Sequence, residues 1–372
     1  MKLIKIIGTI IRKIYNFYLY YKTYRYEIKN INKKQNLVKK VKLNQKQEQE
    51  IKNFYLDNYG KQISTKWHRL YQSYTGIYNK DYFPEIIFST ELEPLLCDRA
   101  ISKQLTDKSL VELLYSNIDK LYIPKTIILN CSGVWYDGNR NIITREKAFK
   151  ILENTGRRVI KKTIDSSSGR DVMIINIKDA YDIKNNLSLE ELIEKFNDNF
   201  IVQEVVENSK EISQIYPKSL NTFRVMTYII EGKLYHMPIT MRIGKGDKEV
   251  DNIHAGGMFI NVSDKGVLNE KAFTEYQNVY TEHPDTKFVF KGHRISGIKE
   301  MIEIAYKCHS KTPHLKLISW DFTINKKNQV TLIEVNLDGQ SIWFPQMASG
   351  KSAFGENTKY MLNLLKQNKS GK

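Results

Sequence analysis

The chain has 372 residues, 41% hydrophobic and 11% aromatic, with 8 Pro, 19 Gly and a formal net charge of +17. That is enough for two or three packed units, and it excludes a mostly disordered chain, a collagen-like chain and a small disulfide scaffold. The charge is lopsided. Residues 1–50 hold 13 Lys and Arg against 3 Asp and Glu, a net of +10, leaving +7 for the other 322; no broad basic face, and no specific nucleic-acid partner, is expected on the body.

The first 50 residues read as a basic arm. No apolar run approaches the ~20 residues that cross a bilayer, and Ile6 to Ile11 ends at Arg12 and Lys13 with no cleavage-like stretch behind it. Leu3, Ile7, Ile10, Ile14, Phe17 and Tyr21 recur at helical spacing, with Lys2, Lys5, Arg12, Lys13, Lys22 and Arg25 among them. A basic amphipathic helix over residues 1–30 suits an anionic membrane surface; the alternative is a helix packed on the body or a partner chain. Residues 51–106 read as a helical or α+β region. Cys97, Cys131 and Cys308 are odd in number and form no CxxC pair, which fits a reducing cytosol, so a cytoplasmic protein at or near the inner face of the membrane is expected.

Beyond residue 80, strands and helices alternate. Helices are expected from Asp107, from Thr144 to Leu152, over Leu189–Phe196 and over Ile298–Cys308. Strands are expected at Tyr122–Leu129, Phe200–Val206, Phe223–Ile230, Leu234–Ile243, Gly257–Val262, Leu315–Asn325 and Val330–Leu337. Arg158–Thr163 and Val172–Ile177 read as a hairpin around a Ser/Gly loop. The fold class is α+β with antiparallel sheets.

Three stretches carry chemistry. Arg158 to Val172 is strand, small polar loop, strand; backbone N–H groups and the hydroxyls of Ser167 and Ser168 beside Gly169 suit phosphate oxygens, with Lys162 as a point charge. It is not a Walker loop, because the GxxxxGK[ST] pattern and a following helix are lacking. Arg224 and Arg242 sit on strands among apolar neighbours and need a partner, either a structural carboxylate or a bound anion. Ser319–Asn325 and Val330–Asn336 flank a polar turn. If the turn centres between Lys327 and Asn328, Asp321 opposes Glu334 with Cβ atoms about 5 Å apart, and Asn336 shares the face of Glu334. Opposed carboxylates repel unless a cation lies between them, and these oxygen donors suit Mg²⁺; the alternative is a solvated acidic face. His254, in the polar loop from Asp251 to Gly257, reads by itself as a loop hydrogen-bonder.

In this order the pieces resemble the ATP-grasp superfamily, and within it the sugar-transfer-associated branch, from about Glu91 to the C-terminus. Asp107-Lys108 with Ile123-Pro124 is similar to the entry of the nucleotide subdomain. Lys162 and its loop resemble the "KP" lysine and phosphate loop, with Thr163 in place of Pro. Gln203-Glu204-Val205-Val206 resembles the adenine hinge, and Ser219–Arg224, Asp251–Gly257 and Asp321 with Glu334-Val335-Asn336 resemble "SxNTxR", "DNxHAGG" and the metal-binding D…ExN. The resemblance implies two α+β subdomains (107–206 and 207–372) clamping ATP between antiparallel sheets. It also implies ATP and one or two Mg²⁺, with nucleotide contacts from Lys108, Lys162, Ser167, Ser168, Gly169, Gln203, Glu204, Val206 and, at the ribose spacing, Glu211. Catalytic roles fall on Asn221, Arg224, Arg242 and His254, and metal ligation on Asp321, Glu334 and Asn336. The implied activity is carboxylate–amine ligation through an acyl phosphate, joining an amino acid or amine to a sugar acid of a surface glycan. A phosphotransferase on a glycan-related acceptor and a non-enzymatic adaptor for an acidic polymer are the alternatives.

Overall fold

A computed structural model describes residues 2–153, 155–164, 171–248 and 251–370. The N-terminal part is helical: α1 (Lys2–Lys33), α2 (Gln35–Lys40), α3 (Gln45–Tyr59) and α4 (Lys66–Thr75). Asn44 and Gln47 close a capping box at the start of α3, and Gly60, at φ 82°, ends it in the left-handed conformation.

Strands follow in chain order: β1 (Leu121–Tyr122), β2 (Thr126–Cys131), β3 (Val134–Asp137), β4 (Ile142–Ile143), β5 (Gly156–Lys162), β6 (Val172–Lys178), β7 (Tyr181–Asp182), β8 (Leu187–Ser188) and β9 (Phe200–Glu204). Then come β10 (Thr222–Ile230), β11 (Lys233–His236), β12 (Ile239–Ile243), β13 (Met258–Val262), β14 (Ala272–Phe273), β15 (Val279–Tyr280), β16 (Leu317–Ile324) and β17 (Val330–Asn336). They form two sheets. The smaller runs β4-β3-β2-β9-β5-β6-β7-β8 and is antiparallel throughout. The larger runs β1-β17-β16-β10-β12-β13-β14-β15, with β11 also on β10, and only its β1–β17 pair is parallel.

Each sheet has its own core. The smaller is covered by the helices Arg145–Leu152 and Leu189–Phe196. The second begins with a Ser188–Glu191 capping box and buries Leu189, Leu192, Ile193 and Phe196, the spacing of one helical face. The larger sheet is covered by α3, Ile298–His309 and Thr358–Ser370. Every residue of β16 is buried, as suits a central strand with both faces covered. Cys308 is core filler there. Tyr115 packs edge-on against Trp320, 5.4 Å between ring centres, so the Leu110–Tyr115 helix sits on the larger sheet.

Two expectations about strands are corrected. Leu234–Ile243 is two strands, because the chain breaks at Met237-Pro238, where Pro238 has no N–H for a ladder. The β16–β17 register also shifts. Near the turn Ile324 opposes Val330 and Phe322 opposes Leu332; a bulge then makes Asp321 oppose Glu334. The turn therefore centres on Lys327, and the extra residue, Ile333, restores the Asp321–Glu334 opposition.

Candidate active site in the cleft between the sheets

A cleft of about 710 Å³ lies where the sheets face each other. The smaller sheet contributes Val159, Lys161, Met173, Ile174 and Gln203 to Val206, and the larger contributes Thr222, Arg224, Arg242, Asp321 and Ile333 to Asn336.

The floor is a cluster of opposite charges. Asp321 is 1% exposed. Arg224 donates to it through Nε to Oδ1 and through Nη2 to Oδ2 at 2.9 Å; Arg242 Nη2 donates to Oδ2 at 3.0 Å and Asn336 Nδ2 at 3.4 Å. The pairing follows from register, since Arg224 sits opposite Asp321 on β10 and Thr222 opposite Arg242 on β12. Arg242 also donates to Thr222 Oγ1 through Nε (3.0 Å) and Nη2 (2.7 Å), and its Nε lies 3.5 Å from Asp251 Oδ2. Burial pushes the Asp321 carboxyl up, but Arg224 and Arg242 outweigh it and hold it below the ordinary value. Burial raises Asp251 despite Arg242 beside it.

Lys108 bridges the sheets. Its backbone N–H donates to Thr163 O at the end of β5 (2.9 Å), and its Nζ lies 2.9 Å from Glu334 Oε1 on β17. Lys161 lines the cleft. Burial, with the like charge of Lys108 added, pulls its ammonium down to about 8. The expected phosphate lysine, Lys162, is corrected: strand alternation turns it to the opposite side with Ile160, where Nζ donates to Asp198 O at 2.7 Å. Ser167, Ser168 and Gly169 lie outside the described residues.

At the hinge, Gln203 Nε2 donates to Pro124 O (3.0 Å), and Glu204 Oε1 accepts from Tyr122 and from the Lys125 N–H at 3.1 Å. Among the described residues, the backbone groups of Val205 and Val206 make no hydrogen bond, and they face the cleft beside Val159, Met173 and Ile174. An apolar slot with an open backbone edge can take a flat heterocycle.

Two more expectations are corrected. Asn221 does not line the cleft. It is fully buried and structural: Nδ2 donates to Tyr216 O (2.7 Å), while Oδ1 accepts from Ser219 Oγ (2.7 Å) and Gly244 N (3.2 Å). Its neighbour Thr222 reaches the site instead. Glu211 points away from the cleft and accepts from Ser296 N–H (2.7 Å) and Oγ (2.9 Å), so it is no ribose ligand in this arrangement. The short Lys210–Ser213 helix carries it to that loop.

His254 also lines the cleft. Its Nδ1 donates to Glu275 Oε2 (2.8 Å), which holds the ring through that nitrogen. Glu275 Oε1 lies 3.0 Å from Lys34 Nζ, and that ammonium sits 4.5 Å over the Trp343 ring. Burial opposes the Glu275 charge, but His254 and Lys34 prevail and hold it down at about 2. Glu275, Lys34 and Trp343 have no sequence signal, because long-range packing brings them together.

The oxygen set Asp321, Glu334 and Asn336 is gathered on the larger sheet. Asp321 is closed off by guanidiniums, so it is not an open metal ligand as placed. Glu334 Oε2 and Asn336 Oδ1 accept no hydrogen bond among the described residues, and as hard oxygen donors they fit Mg²⁺ shared with phosphate oxygens and water. Among the described residues there is no group of three His, Cys, Asp or Glu arranged for a metal.

The profile of the sugar-transfer associated ATP-grasp family matches residues 87–360. The chain belongs to that family. A search of curated proteins by sequence found no match. Among solved structures, this ATP-grasp protein is similar to a D-Ala:D-Ser ligase from Enterococcus faecalis (15% identity, 72% of this chain and 63% of that one, TM-score 0.41). It is also similar to D-alanyl-alanine synthetase A from Vibrio cholerae (16%, 73% and 67%, TM-score 0.41). A third is N5-carboxyaminoimidazole synthetase from Staphylococcus aureus, solved with ADP (11%, 63% and 45%, TM-score 0.35). The chain thus spans under half of the synthetase's length.

Proposed function

We propose that this protein is an ATP- and Mg²⁺-dependent carboxylate–amine ligase that joins an amino acid or amine to a sugar acid of a cell-surface glycan or its precursor. The observation that carries the reading is the cleft itself. An apolar slot with an open backbone edge leads to Lys108 and Lys161 and ends on Arg224 and Arg242, so a flat base, a polyphosphate and a carboxylate have successive matching surfaces.

In this reading Val205 and Val206 take the adenine edge. Lys161 and Lys108 neutralise the phosphates. A magnesium ion held by Glu334 and Asn336 would supply further charge neutralisation at the terminal phosphates. A substrate carboxylate oxygen attacks the γ-phosphorus, and the bond to the β-phosphate oxygen breaks, giving ADP and an acyl phosphate. Arg224 and Arg242, held by Asp321, stabilise the charge on the transferred group without having to reorganise. The amine then attacks the acyl carbon and inorganic phosphate departs. His254 Nε2 takes the amine proton, with Glu275 keeping the ring in the right tautomer. No side-chain nucleophile is required.

The test is product analysis. Ligation gives ADP and free phosphate only when a carboxylate and an amine are both supplied. A phosphorylated acceptor formed from ATP without an amine would replace this reading with a phosphotransferase.

A further inference from the structure

Helix α1 is unusual in how it meets the body. It runs for 32 residues, about 48 Å. Among the residues whose side chains are described, attachment falls in its second half: Leu19 and Thr23 are half-buried, and Glu27 and Ile31 are buried, on the side that packs against the Glu85–Leu92 segment. These positions recur every four residues and form one face.

The apolar stripe lies elsewhere. Ile7, Ile10, Ile14, Phe17 and Tyr21 are 48%, 50%, 64%, 69% and 51% exposed. At 100° per residue the stripe lies about 140° round the axis from the attached face. The body therefore leaves the stripe uncovered, although it packs on the second half of the helix as the alternative sequence reading expects. Lys13 and Lys22 border the stripe, and Arg25 lies 5.6 Å over the Tyr21 ring. No Asp or Glu precedes Glu27 in the chain.

We infer that α1 docks on an anionic lipid surface, with this stripe in the interface and its Lys and Arg side chains among the headgroups. Charge selects this occupant. A second copy of the helix laid on the stripe would bring only positive charges together, whereas anionic headgroups complement them. The five stripe residues are aliphatic or aromatic, the composition of an interfacial helix rather than a spanning one, and no described helix is long and apolar enough to cross a membrane.

The inference does not rest on the ligase reading, because vesicle binding is measured without nucleotide. The experiment is co-sedimentation of the full chain with vesicles of phosphatidylcholine alone and of phosphatidylcholine mixed with phosphatidylglycerol. Binding is expected to the mixed vesicles, at least about tenfold stronger than to the neutral ones and weakened by salt. Ile14→Asp with Phe17→Asp should abolish it, and Lys13→Glu with Lys22→Glu should weaken it by about tenfold. Both variants should melt at the wild-type temperature, since these residues are exposed. Equal binding to neutral vesicles, binding that survives Ile14→Asp with Phe17→Asp, or a melting temperature lowered by these changes would overturn the inference. A concentration-dependent dimer broken by the same substitutions, without vesicle binding, would assign the stripe to a second copy and also overturn it.

Discussion

Asp321 and Glu334 are cross-strand partners, yet each is neutralised by different cations: Arg224 and Arg242 close on Asp321, while Lys108, tied through its backbone to Thr163, reaches Glu334. The repulsion expected between two opposed carboxylates is thus removed by four-point pairing within the protein. One carboxylate serves as the anchor of two arginines, and the other stays at the cleft with an oxygen to spare.

That division predicts different outcomes for the two acids. Asp321→Asn breaks a fully buried pairing and should destabilise the fold by on the order of 3 kcal/mol in urea unfolding. Glu334→Gln, at a site 35% exposed in its side chain, should leave the unfolding midpoint nearly unchanged while raising the Mg²⁺ concentration needed for nucleotide binding.

The lysines on β5 are the second test. Lys161→Met should weaken nucleotide binding by roughly 10- to 100-fold, as expected for a lost charge-assisted hydrogen bond. Lys162→Met, on the opposite face, should change affinity by less than about threefold. With Lys161 pulled down to about 8, the empty site is cationic below that pH and loses the charge above it. Wild-type affinity for the triphosphate should therefore fall as pH rises past about 8, and in Lys161→Met that part of the pH dependence should vanish.

His254 and Glu275 give a third. If His254 Nε2 accepts the amine proton, His254→Asn should lower turnover by about 100- to 10,000-fold with nucleotide affinity unchanged. Glu275→Gln keeps the size of the partner but removes its charge. It should lower kcat with nucleotide affinity unchanged, because the ring loses the charged partner that orients it. A purely structural Glu275 would lower the melting temperature and leave kcat of the folded enzyme in place.

A stability prediction concerns the strap behind the cleft. Glu93 Oε1 accepts from Gln340 N–H at 2.6 Å, and Glu85 accepts from Ile342 N–H at 3.1 Å through each oxygen. Both hold the loop after β17 that carries Asp338, Ser341 and Trp343 to the cleft. Burial is the main cause that raises Glu93 to about 7, above its unfolded value of 4.5. A raised carboxyl contributes stability fully at a pH below the unfolded value and loses it as pH rises through 7, on the order of 3 kcal/mol across that window. Glu93→Gln should therefore melt higher relative to wild type at pH 8 than at pH 5.

Much of the architecture was legible because it depends on local rules. The Leu189–Phe196 helix carries its cap and its apolar spacing together, and the β5–β6 and β16–β17 pairs each join two β-rich runs through a polar segment. The opposition of Asp321 and Glu334 was expected from a turn centred one half-residue too late; the Ile333 bulge makes up the difference, and a bulge leaves no mark in composition. Lys161 and Lys162 are adjacent, and only strand pairing with β9 and β6 decides which of them faces the cleft. Asn221 belongs to a conspicuous motif, yet its amide is consumed by Tyr216, Ser219 and Gly244, partners set by tertiary folding. The chain Lys34–Glu275–His254 joins residues over 200 positions apart and had no local trace.

The most direct measurement is ADP release from Mg²⁺–ATP by the full chain, supplied with amino acids and uronic-acid glycans singly and together. Release that requires both co-substrates, yields free phosphate and an amide product, and falls by at least about tenfold in Lys161→Met at subsaturating ATP is the predicted result. ADP release that continues unchanged in Lys161→Met, or a phosphorylated glycan as the end product, would contradict a ligase working in this cleft.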